Sequence, residues 1–222
     1  MTPENPAPRP QPSLYDVCVG LGYHCESTHQ IRRITGDERA HFFDWLDLDF
    51  ESVLDLLDTD FRNVLLPGLS EPFSDGQCAH DRGTGIRFFH EFRPAAGEPL
   101  TLADIEHQLP SVRAKFLHLA ERWRALNRSS SRVLYVHHDA FDELTDADLG
   151  RLRKQLAHRH PDHRFAVLWL RRTPPASVTA LPPGVAWDTV PEVPGRWEGS
   201  DEAWDRVFAA LDPHTLWPAT TA

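Results

Sequence analysis

Between Asp16 and Arg33 the chain reads DVCVGLGYHCESTHQIRR, and this stretch constrains its fold more tightly than any other. Val17, Cys18 and Val19 lie within Tyr15–Leu21, a strand candidate whose mostly unbroken apolar character suits a strand covered on both faces. Gly20 and Gly22 follow as the residues of a turn. The polar segment beyond them continues as a helix from about Cys25 to Ile34 and stops at Thr35-Gly36. Cys25 therefore falls on or just before the first turn of a helix. Backbone N–H groups there are unpaired, and the positive end of the helix dipole favours a thiolate over a thiol. Such a cysteine can serve as a nucleophile. The alternative is a small buried residue at a strand-to-helix turn.

The rest of the chain alternates strands and helices. Ala40–Leu46 is an aromatic block around one carboxylate, Asp44, which is expected to be half buried and in need of partners. Phe50–Leu57 reads as an amphipathic helix with Asp49 as its N-cap. Asn63–Thr84, with its Gly, Pro, Ser and Asp, reads as a long loop carrying Cys78, His80 and Asp81, of the kind that forms lids or binding loops. Gly85–Phe92 alternates partially and reads as a strand ending at Arg93-Pro94. Thr101–Gln108 opens a helix capped by Thr101, with Asp104 three residues on. Pro110 breaks or re-caps it, and Ser111–Leu126 is the clearest helix, with Val112, Phe116, Leu119, Trp123 and Leu126 on one stripe. Arg132–His137 is a strand, Asp146–His158 a helix capped by Thr145, and Phe165–Leu170 a buried strand. Val185–Val190 is a weaker strand, and Glu202–Leu211 a closing helix. This order implies an α/β domain built on a mainly parallel sheet flanked by helices, with an inserted loop or hairpin region between Asn63 and Phe92. The expected organisation is a proline-rich disordered tail at 1–13, a single domain at 14–217 and a short tail at 218–222. In open α/β sheets function gathers at the carboxyl ends of the strands, where Cys25 falls.

Charge and cysteine usage narrow the class. A net charge of −10, from 23 basic against 33 acidic residues, opposes nucleic-acid binding. The 13 histidines are scattered rather than clustered. Three cysteines do not make a disulfide framework, and together with the absence of a signal peptide they imply reduced thiols in a cytoplasm. No apolar run approaches a membrane span; the longest is Phe165–Leu170.

A cysteine nucleophile needs a base within hydrogen-bond reach. His90 is a candidate, in an aromatic strand that would partly desolvate its imidazole and hold one rotamer. His24, adjacent to Cys25, suits a pocket wall better than a base. His137 and His138, after a strand and before Asp139, offer another histidine and carboxylate supply. A metal site is the rival use of these residues, but neither His137-His138-Asp139 nor His158, His160 and His163 has the i, i+4 pairing of zinc hydrolases. The latter set also suits the negative end of a helix dipole. Gly20-Leu21-Gly22 partly matches a dinucleotide fingerprint, but the third glycine is missing and Cys25 stands in its place. The N–H groups of that turn can instead stabilise an oxyanion. No cofactor and no metal are expected.

The segments LGYHCESTHQIRR, HFFDWLD, GIRFFHEF and KFLHLAERWRAL followed by RVLYV, in this order, resemble a bacterial family of domains of unknown function regarded as papain-like cysteine peptidases. The likeness covers about Leu14 to Val136. It implies Cys25 as nucleophile, His90 as base, and Asp44 as orienter or structural anchor. His24 stands where the family more often has Asn or another polar residue, and Glu91 replaces the commoner Asp after the histidine. The resemblance supports the Cys25–His90 pairing more than proteolysis as such.

The expected chemistry is attack of a Cys25 thiolate on a carbonyl, stabilised by the Gly22–Glu26 turn, in which His24 and Glu26 also face substrate or oxyanion. Acyl transfer to water or to an amine would make the protein a peptidase, amidohydrolase, thioesterase or acyltransferase acting on a small-molecule or peptide substrate. Two other readings stand beside it. One is a non-catalytic α/β binding module for a small molecule or partner protein. The other is a metal-dependent hydrolase using His80, Asp81, His137 or His138. A pocket near Phe42, Phe43, Trp45, Phe88 and Phe89 would favour apolar substrates, although such residues commonly form core. Oligomeric state is open.

Overall fold

The computed structural model describes residues 14–95, 97–175 and 181–218. The expected tail at 1–13, and all but Pro218 of the expected tail at 218–222, lie outside the described residues. In chain order the first elements are β1 (Val17–Gly20), α1 (Cys25–Thr35), α2 (Phe50–Asp58), β2 (Ser70–Phe73), β3 (Cys78–Asp81) and β4 (Ile86–Phe88). There follow α3 (Leu102–Asn127), β5 (Val133–Asp139), α4 (Asp146–His158), β6 (Phe165–Arg171), β7 (Val185–Thr189), α5 (Asp201–Ala209) and α6 (Pro213–Leu216). Four strands pair in parallel in the order β1-β5-β6-β7, and β2-β3-β4 form a small antiparallel sheet. The protein is thus an α/β fold with a mainly parallel sheet flanked by helices.

The period-two alternation of the strands divides the core into two layers. Val19, Val133, Tyr135, Val167 and Trp169 face a large cluster filled from α2, α3, α4 and the aromatic block. Cys18, Leu134, Val136, Leu168 and Leu170 face the opposite layer, closed by Ile31 of α1, Trp204 and Val207 of α5 and Leu216 of α6. Both faces of the sheet are covered, as the apolar runs of its strands require. Helix ends carry the expected chemistry: Thr101 and Thr145 both close capping boxes, with Asp104 and Asp148 respectively. Gly36 ends α1 in the left-handed conformation, at φ 66°.

Several expectations are corrected. Asn63–Thr84 is not a long loop, since it holds β2 and β3. The two strands are short and polar, with Pro72 in β2, so neither has a hydrophobic period to read. Their signal is the turn between them, where Ser74, Asp75 and Gly76 all have positive φ, and an Asp-Gly dipeptide is a hairpin marker. The strand expected over Gly85–Phe92 is only Ile86–Phe88, ending where Phe88 pairs with Ala79. Phe89 and His90 therefore leave the sheet and are exposed. Pro110 does not break the helix. It lies inside the continuous α3, where the one lost i→i−4 bond is outweighed by buried Ile105, Val112, Phe116, Leu119 and Trp123 on either side. Asp49 occupies the N-cap position of α2 without making a cap hydrogen bond; its carboxylate accepts from Arg87 Nη2 at 3.1 Å instead. His137 and His138 belong to β5, whose pairing with β6 continues to Asp139 opposite Arg171.

Candidate active site

The turn between β1 and α1 is built to present Cys25. Leu21 extends the sheet by donating its N–H to the Val136 carbonyl at 2.9 Å. The chain then reverses through two consecutive left-handed residues, Gly22 at φ 79° and Tyr23 at φ 81°. Only glycine fits the first, because a Cβ at Gly22 would lie 2.2 Å from Leu48 Cδ2. Tyr23 holds a conformation costly for a bulky residue, with its ring edge-on to Phe141 at 5.2 Å. His24 is the N-cap of α1 but makes no side-chain cap bond, so the first-turn N–H groups receive none from it. Cys25 is the first helical residue, partly exposed, at the carboxyl end of β1.

His90 reaches Cys25 from the other sheet. Its Nε2 lies 3.4 Å from Cys25 Sγ. The approach is fixed three residues upstream, where Arg87 and Asp47 form a reciprocal backbone pair (Arg87 N–H to Asp47 O at 2.8 Å, Asp47 N–H to Arg87 O at 3.3 Å). Their side chains repeat the link, with Arg87 Nε and Nη2 donating to the two Asp47 carboxylate oxygens at 3.0 and 2.9 Å. Trp45 stands edge-on to the His90 ring at 6.0 Å. Among the described residues no carboxylate forms an ion pair or hydrogen bond with the second ring nitrogen of His90. The two side chains are positioned by packing and by the Asp47–Arg87 clasp.

Asp44 does not touch His90. Its carboxylate accepts from Arg32 Nη2 at 2.8 Å and from the His41 N–H at 3.0 Å, which ties the aromatic block to α1. Of the two roles expected for it, this geometry is that of an anchor. Arg32 also lies 5.7 Å from the Trp45 ring centre, and Thr28 Oγ1 accepts the Trp45 N–H at 3.2 Å. Glu26 points away from the cleft. It is 3% exposed and accepts from Arg172 Nη2 at 2.7 Å and Trp204 Nε1 at 3.0 Å. Its side chain fastens the start of α1 to the end of β6 and to α5, and only its backbone N–H remains available near Cys25. The helix dipole does not give Cys25 a lowered pKa. Burial and the Asp47 carboxylate push the thiol up, against the backbone N–H of Cys25 itself.

Cys25 and His90 open into a cleft of about 360 Å³, lined also by His24, Trp45, Asp47, Phe89 and Trp197. Phe42, Phe43 and Phe88 are core, each about 1% exposed, so of the aromatic candidates only Trp45 and Phe89 reach it. Asp47 and Trp197 carried no signal in isolation. Asp47 sits in the same block as Asp44, three residues on, and a choice between the two needs the pairing with Arg87. Trp197 arrives from the connection between β7 and α5, far away in sequence. Cys18 and Cys78 are buried and all three cysteines are free; burial raises both thiols.

The other candidate groups stand apart. Asp81 is fully buried and spends its carboxylate on Leu65 N–H, Gly83 N–H and Thr84 Oγ1. His80 is beside Glu71 in the small sheet. His137 and His138 line a separate cleft of about 250 Å³ with Tyr23, Asp49 and Phe141, and His163 contacts the Tyr135 hydroxyl at 3.0 Å. Among the described residues no group of three or more His, Cys, Asp or Glu could hold a metal ion, and no described helix is long and apolar enough to cross a membrane. No model of a known protein family, no curated protein and no solved structure matches the chain.

Proposed function

We propose that the protein is a cysteine-dependent acyl-transfer enzyme of the amide- or thioester-cleaving kind, with Cys25 as nucleophile and His90 as general base, acting on a small-molecule or peptide substrate. The 3.4 Å approach of Cys25 Sγ to His90 Nε2, inside a cleft, carries the reading. Because the thiol is raised, the resting sulfur is protonated and His90 removes its proton during attack. Sγ then bonds to the carbonyl carbon, and the oxygen takes up the electron pair and negative charge. The first-turn N–H groups at Cys25 and Glu26 stabilise that charge. Collapse breaks the bond to the leaving amine or thiolate, which takes the proton from His90. Water or an amine next attacks the acyl-thioester, again losing its proton to His90. Collapse of that adduct breaks the carbon–Sγ bond, Sγ regains the proton from His90, and an acid or amide is released.

One observation favours a second reading, a binding module in which Cys25 is only a wall: the same raised thiol pKa is not that of a preformed thiolate. Reaction with p-nitrophenyl acetate separates the two, read by intact mass and peptide mapping. The enzyme reading expects one acetyl group per chain on Cys25, turning over in the wild type and not formed in His90→Ala. Equal acetylation of Cys25 with and without His90 overturns it.

A further inference from the structure

The walls of the reactive cleft are aromatic, and their charge is already spent. Phe89 is 40% and Trp197 52% exposed, so two large apolar rings face water beside the sulfur. Isolated surface rings need no explanation, but a contiguous set around a cleft marks a ligand surface. The rings do not lie flat on one another. Trp45 and Trp197 are 6.3 Å apart and tilted by 58°, Trp45 meets His90 edge-on, and Trp197 meets His29 at 71° and 5.3 Å. Such a corner leaves ring faces and edges free to take another ring in offset or edge-to-face contact. Among the described residues, Asp47 is the one carboxylate in the lining and has both oxygens on Arg87, and no Lys or Arg lines the cleft. An anionic group there would find no free cationic side chain among the described lining residues to pair with. At roughly 30 Å³ for a water-sized group, the cleft holds on the order of a dozen heavy atoms, which suits a ring with a short linker.

Resting on the Cys25–His90 reading, we infer that the acyl group accepted at Cys25 is uncharged and bears an aromatic ring seated among Trp45, Phe89 and Trp197. The test compares four alkylating reagents with one reactive group: iodoacetamide and its N-benzyl, N-hexyl and N-carboxymethyl derivatives. Labelling of Cys25 is followed by mass spectrometry and each rate is divided by that with free glutathione. The N-benzyl reagent is expected to lead iodoacetamide by about tenfold, the worth of a well-formed ring contact, with the N-carboxymethyl reagent slowest. Trp197→Ala and, separately, Phe89→Ala bring the benzyl-to-iodoacetamide ratio toward one. Equal normalised rates, an N-hexyl rate matching N-benzyl, or a lead for the carboxylate overturns the inference. Failure of the dyad reads differently: the benzyl preference persists while His90→Ala leaves every rate unchanged.

Discussion

Tyr23 and Gly22 show what presenting one sulfur atom costs. Two successive left-handed residues turn the chain from β1 into α1 within four positions, and the bulky one of the pair is held by Phe141. Strain of this kind persists only where the surroundings over-determine it. Gly22→Ala adds a left-handed non-glycine residue and drives a methyl into Leu48, itself fully buried. The expected loss is roughly 2–4 kcal/mol of unfolding free energy, with a matching drop in the urea midpoint. A loss under ~0.5 kcal/mol, which is the range of neutral surface changes, would mean that the turn relaxes without help. At this scale the turn that holds Cys25 was legible because strand, turn and helix signals are local, whereas His90 lies 65 positions on and comes within 3.4 Å only through the fold. Asp47 was not legible, since its role is defined by Arg87, a partner 40 positions away.

His90 is brought toward Cys25 by elements that meet at one clasp. The Asp47–Arg87 pair joins the aromatic block to β4 through two backbone and two side-chain hydrogen bonds, and His90 is held three residues beyond it. Both side chains are partly exposed, near 25%, so the ion pair itself contributes little to stability. Its effect is on placement. Asp47→Ala is expected to slow acylation of Cys25 by about tenfold or more, the scale of a misplaced catalytic group, while the unfolding midpoint moves little. Removing the carboxylate also lowers the Cys25 thiol pKa, because Asp47 is one of the two groups raising it. The pH profile of alkylation should therefore shift toward lower pH even as acyl transfer slows. Unchanged acylation would show that Trp45 alone holds the ring. The starts of α3 and α4 were legible because caps are local: Thr101-Asp104 and Thr145-Asp148 each close within one turn. The hairpin was not, because β2 and β3 are held by pairing with one another and not by their own hydrophobic pattern.

For the molecule as a whole, the parallel sheet contributes to how stability depends on acidity. Its central strand β5 is buried along its whole length and ends in two histidines and an aspartate. Burial holds His137 down to about 4, and His138 is depressed as well, by burial and the nearby Arg172 guanidinium. These imidazoles stay neutral in the folded chain, whereas the unfolded chain takes up protons below about 6.5. Their contribution is therefore complete above that pH and falls away as pH drops toward 4. At about 1.4 kcal/mol per unit, His137 alone is expected to remove roughly 2–3 kcal/mol between pH 6.5 and 4.5. Urea unfolding across that window should show the decline, and His137→Leu should make it shallower, the remainder coming from His138 and His163, which burial also depresses. An unchanged slope in the variant would assign the acid sensitivity elsewhere. The α/β architecture was readable at this scale because alternating strand and helix periods are a property of long segments. How the small sheet folds back onto the large one was not, since that depends on contacts between segments with no shared local signal.

The sulfur sits just past β1 of the parallel sheet and the imidazole just past β4 of the small one, so their spacing depends on how the two sheets are joined. Residues up to Thr35 supply β1, the turn and α1, but the partner strand β5, Leu48 beneath Gly22 and the Asp47 carboxylate that raises the thiol all come later in the chain. His90 comes into reach through the clasp between Asp47 and Arg87. On the proposed mechanism, a chain opened locally at the meander is expected to lose the His90-dependent acylation of Cys25. The spacing of the two side chains thus reports whether the small sheet is seated.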